Sequence, residues 1–171
     1  GVYLQLGRDY EFLEDDILFN EIEQKRLFLS LLNARIVLAT LKSLMALAGI
    51  KYTQLNEITY TPEEIILELG DFKSEYTGKE LLDWAAEQER KICEFLDNFV
   101  MPEEGIQGSS KLFALQAMKA SWFTHKGEKL CEDFIFQIDD GHKLTKNQKK
   151  IIRDETVEVR LPVTLWIAER L

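Results

Sequence analysis

A chain of 171 residues, 46% hydrophobic and 30% charged, is long enough to bury a sizeable core without disulfide or metal staples. Only 3 prolines and 9 glycines exclude a linker-rich or disordered chain. Two cysteines, Cys93 and Cys131, exclude a disulfide scaffold and a short-spaced zinc site. The net charge of −9 is uneven: residues 51–110 hold 14 acidic and 5 basic side chains, a band that repels nucleic-acid phosphate, favours basic surfaces or cations, and also serves solubility.

Residues 2–6 (VYLQL) alternate as a short strand does and stop at Gly7. From Phe12 the period turns helical, with Asp15 or Asp16 available as caps and Ile17, Leu18 and Ile22 on one face. This helix leads into LFLSLLNARIVLATLKSLMALAGI (27–50), apolar on nearly every side, and a break near Gln24–Arg26 would keep its length ordinary. A helix that is hydrophobic all round must be enclosed by protein or by lipid. Arg35 and Lys42 would lie inside the hydrocarbon of a bilayer, and Ser, Thr and Asn recur between them, so enclosure by protein is expected and no membrane partner. Those two charges stand seven apart, on one face, and should mark the side that escapes burial or meets an acidic partner. Gly49 is the expected stop.

Residues 50–60 read as loop or short strand. Thr61-Pro62-Glu63-Glu64 opens a helix over 62–69, with a hydroxyl cap, proline at the first helical position and acids at the positive end of the dipole. Thr77 caps the most clearly amphipathic element, 78–100, where Leu81, Ala85, Gln88, Ile92 and Phe99 recur at helical steps. The loop 101–110 is too short to divide the chain. Ser109 or Ser110 then caps a helix to about Phe123. Residues 128–138 fit a helix or a strand, Thr145 and Gln148 form a capping box for a helix to Asp154, TVEVRL (156–161) alternates like a strand, and Pro162 opens a last helical turn through Ala168.

The expected architecture is therefore mainly α: one domain over 1–171, a helical bundle in which helix 27–48 is central and helices 62–69, 78–100, 110–123 and 145–154 wrap it. Two or three short strands, drawn from 2–6, 133–138 and 156–161, form at most a minor β element.

Chemistry is sparsely signalled. Glu64, Glu68 and Asp71 can line one helix face and hold Mg²⁺ or Mn²⁺, as a divalent-metal-dependent all-α hydrolase would require. The E-x-x-D spacing of Glu68 and Asp71 occurs in all-α nucleotide pyrophosphohydrolases, but those need an E-x-x-E pair close upstream, and residues 40–56 contain no acid. A solvated acidic face is the preferred account. Gly105-Ile-Gln-Gly108-Ser-Ser-Lys111 precedes a helix start, where amides can bind an anion, yet lacks the Gly-Lys-Ser order of a phosphate loop. His125 stands near Cys131 in sequence without a third orienting group. Lys146, Lys149, Lys150 and Arg153 share one helix face, a candidate phosphate or nucleic-acid contact diluted by neighbouring acids.

No catalytic constellation emerges. The expectation is a cytoplasmic, non-enzymatic interaction module (adaptor, chaperone or structural subunit) that needs no cofactor and whose partner is another protein or a second copy of itself. A metal-dependent hydrolase and a nucleic-acid-contacting subunit are the alternatives.

Overall fold

The computed structural model describes residues 1–5, 19–64, 72–99, 105–139, 141–157 and 164–168. Helix α1 spans Glu21–Ala48. It starts at Asn20, whose side chain accepts the Glu23 amide at 2.9 Å while its amide group donates to the Glu23 carboxylate at 3.0 Å. Glu21 and Glu23 face the positive end of the dipole. The proposed break near Gln24–Arg26 does not occur: Gln24 is buried and its side chain donates to the Phe19 carbonyl at 3.0 Å, anchoring the entering chain instead. Gly49, at φ 65°, closes the helix in the left-handed conformation that glycine adopts without steric cost.

Buried residues encircle the middle of α1, from Leu27 through Leu32 to Ile36, Val37, Leu41 and Leu44. The helix is long and apolar enough to cross a bilayer, and 72% of its most apolar window is buried within the protein itself. Its largest partner is α2 (Gly78–Asn98), capped by Thr77 in a reciprocal box with Glu80 and burying Leu81, Ala85, Gln88 and Ile92. A Cβ at Gly78 would stand 2.7 Å from the Leu55 carbonyl oxygen, so the start of α2 sits directly on the 3₁₀ turn 52–57.

Two sheets complete the core. β2 (Ile58–Tyr60) pairs antiparallel with β3 (Tyr76–Thr77) and β4 (Phe123–His125), and β4 with β5 (Glu128–Lys129), in the order β3-β2-β4-β5. Tyr60 lies at their centre, its ring against Phe72, Tyr76, Trp122 and Phe123 and its hydroxyl donating to the Ala117 carbonyl at 2.8 Å. The second sheet is wholly parallel: β1 (Val2–Gln5) beside β6 (Ile135–Asp139) beside β7 (Thr164–Ile167). Helix α4 (Lys146–Val157) connects β6 to β7, because adjacent parallel strands need a crossover. The Thr145–Gln148 box opens α4 as expected, with both bonds at 3.1 Å.

The fold is thus a mixed α/β structure, and the expectation of a mainly α helical bundle is overturned by these two sheets. Several elements change type for identifiable reasons. The helix expected over 110–123 shrinks to one turn, α3 (Ala114–Ala117), because Tyr60 takes the Ala117 carbonyl, Met118 leaves helical geometry and Phe123 enters β4. Residues 128–138 are not helical: Glu128–Lys129 form β5, Ile135–Ile138 belong to β6, and 130–134 connect them. Thr156 and Val157 end α4 rather than begin a strand, and the segment 164–167, read as a helical turn, is the strand that pairs with β6. Of the helix expected over 62–69, residues 65–69 lie outside the described residues.

Candidate docking site

The parallel register sets the two faces of the β1-β6-β7 sheet. Val2 is aligned with Phe136 and Leu165, and Tyr3 with Gln137 and Trp166. Successive side chains point to opposite faces, so these rows belong to different sides. Val2 and Phe136 are buried in the core that α1 anchors. Tyr3 and Trp166 are 59% and 60% exposed, and Ile135, on the same side as Gln137, is 43% exposed. Wholly parallel sheets are ordinarily covered on both faces. This one presents an aromatic–amide–aromatic row to solvent.

Tyr3 also borders a groove of about 600 Å³ running beside α1. Its lining is Gly1 and Tyr3 of the β1 segment, Arg35, Leu38, Ala39, Lys42, Ser43 and Ala46 of α1, and Glu89 of α2. Arg35 Nε donates to Glu89 Oε2 at 3.0 Å, with only 13% of the arginine side chain exposed. Lys42 is exposed. The two charges set apart in the sequence therefore share one groove: Arg35 is answered by a carboxylate, and Lys42 faces solvent. A smaller cavity, about 340 Å³, lies on the other side of β1 among Val2, Ser43, Leu44, Leu47, Cys131, Asp133 and Phe134.

The residues singled out from sequence are dispersed. Glu64 is exposed, while Glu68 and Asp71 lie outside the described residues. Among the described residues no group of three or more His, Cys, Asp or Glu side chains is placed to hold a metal ion. On α4, Lys146, Lys150 and Arg153 are exposed, Lys149 is half-buried, and Arg153 Nε lies 3.8 Å from Asp154. His125 is engaged by Glu57 rather than by Cys131, Nε2 to Oε2 at 3.0 Å, with Lys126 Nζ 3.9 Å from the same oxygen. The hydrogen bond from His125 is the main reason that the Glu57 carboxyl lies below its ordinary value. Burial pushes the Cys131 thiol up, away from the thiolate a nucleophile needs.

The glycine loop is occupied by its own protein. Asn33 donates to the Gly108 and Lys111 carbonyls at 2.9 and 2.7 Å and accepts the Ala114 amide at 3.0 Å. Ser30 donates to the Gln107 carbonyl at 2.6 Å, and Gln88 accepts the Gln107 amide at 3.1 Å. The amides of Gln107 and Ala114 are thereby committed to side chains of α2 and α1.

Tyr3, Gln137 and Trp166 were not singled out by sequence reasoning. The alternation of VYLQL makes Tyr3 outward-facing once residues 2–6 are a strand, but the outward placement of Trp166 depends on β7. The chain matches no family model, no curated protein and no solved structure.

Proposed function

We propose that this protein is a cytoplasmic, non-enzymatic interaction module that binds another protein through the open face of the β1-β6-β7 sheet. The observation that carries this reading is the row Tyr3–Gln137–Trp166, two half-exposed aromatics flanking an amide on the side of a parallel sheet opposite Val2 and Phe136. Tyrosine and tryptophan supply large contact area at small entropic cost and are enriched where protein interfaces form. Cys93 and Cys131, half-buried and not joined in a disulfide, suit a reducing compartment.

Photo-crosslinking tests the reading. Benzoylphenylalanine replaces Tyr3, Trp166 or, as a control on α4, Lys146 in the producing cells. One discrete adduct shared by positions 3 and 166, and absent from 146, is the expected result. Adducts at position 146 alone that disappear on nuclease treatment would instead favour nucleic acid on the α4 cations. Purified protein that turned over nucleotides with Mg²⁺ or Mn²⁺ would replace the non-enzymatic reading altogether.

A further inference from the structure

Among the described residues β1 pairs with β6 on one side only, and the groove beside α1 is bordered by Gly1 and Tyr3 of the β1 segment. We infer that the groove admits an extended, acidic segment of the partner as a fourth strand added to the β1 edge opposite β6, which has no partner among the described residues. An unpaired edge presents a row of N–H and C=O groups ready to pair with another chain. Strand addition of this kind draws affinity from main-chain bonds and specificity from the side chains of the groove.

Three features of the groove fit that occupant. Ala39, Ser43 and Ala46 lie on the α1 wall, and their short side chains leave room for a backbone alongside β1. Leu38 and the ring of Tyr3 give apolar contact. The charge selects the sign: Arg35 and Glu89 neutralise each other, which leaves Lys42 as the unbalanced charged side chain among the residues lining the groove. On a chain of net charge −9, this local cation distinguishes an acidic segment from the basic partners that the rest of the surface attracts.

The inference rests on the reading of the protein as an interaction module, and its test is separable from that of the sheet face. Fluorescein-labelled decapeptides of alternating Thr and Glu, or of alternating Thr and Lys, are titrated by anisotropy against the full chain. The Thr-Glu peptide is expected to bind at least tenfold more tightly than the Thr-Lys peptide. Lys42→Glu should cancel or reverse that preference, and N-methylation of alternate peptide amides should weaken binding at least tenfold. Hydrogen exchange gives a second readout: the peptide should slow exchange of the β1 amides. Equal affinity for both peptides, no binding by either, indifference to N-methylation, or protection elsewhere than β1 would each overturn the inference. The crosslinks at positions 3 and 166 would still stand if the partner used the sheet face alone.

Discussion

Asn33, at the middle of α1, holds Gly108 by a 2.9 Å hydrogen bond to its carbonyl, and this one side chain ties the central helix to a loop 75 residues further along the chain. Asn33 is fully buried and also bonds the Lys111 carbonyl and the Ala114 amide. Replacing it with alanine strands a buried donor and acceptors, each costing about 1–3 kcal/mol when unsatisfied. Asn33→Ala is expected to lower the unfolding free energy by about 2–4 kcal/mol in urea titrations, with Asn33→Leu no better despite its apolar surroundings.

Gly108 and Gly49 share a left-handed backbone, at φ 64° and 65°, but not their surroundings. A Cβ at Gly108 would stand 2.9 Å from the Phe113 ring, whereas one at Gly49 meets nothing within 4 Å. Gly49→Ala should cost only the conformational penalty, about 1 kcal/mol. Gly108→Ala should cost measurably more, and Gly108→Ala in a Phe113→Leu background should recover part of the difference in thermal melts.

The Glu80 carboxyl lies below its ordinary value, chiefly because it accepts the Thr77 amide at the start of α2, with the Thr77 hydroxyl and Lys73 adding to the effect. A carboxyl lowered on folding stabilises the protein above its unfolded value, and that contribution is lost as pH falls through the folded one. The stability gap between wild type and Glu80→Ala should therefore be present at pH 7 and narrow below the ordinary value of 4.5, as chemical denaturation across pH 3–7 would read.

Trp166 and Tyr3 project from the sheet rather than into the core. Trp166→Ala and Tyr3→Ala should each shift stability by less than about 0.5 kcal/mol, as surface substitutions do. Both should nonetheless abolish the adduct formed by a crosslinker at the other position. A loss of stability comparable to a core truncation would make these aromatics structural instead.

Where the sequence carried long periodic signals, it located the elements well. The ring of apolar residues around Leu31–Leu44 announced an enclosed helix, and Thr77, Gly49 and the Thr145–Gln148 box marked true ends. The strands were harder because they are two to five residues long, shorter than the window over which periodicity speaks, and because their partners are distant. Val2 pairs with Phe136, and Ile58 with His125; nothing local to either strand encodes that neighbour. The helical propensity of 114–123 lost to a long-range bond from Tyr60. The candidate site followed the same division. Arg35 and Lys42 were legible as one face of a helix, whereas the row Tyr3–Gln137–Trp166 exists only once three remote strands align.

That alignment also orders assembly in time. Helices α1 and α2 and the antiparallel sheet are complete once the chain has reached Lys129, but among the described residues β1 has no strand partner until β6 follows it, and β7 is added last. During synthesis Val2 stays without its β6 partner Phe136 until residue 136 has been added. Nascent chains halted before residue 135 should consequently expose apolar surface that the finished protein hides, and the late-closing sheet is the part of the molecule for which a holding chaperone would matter most.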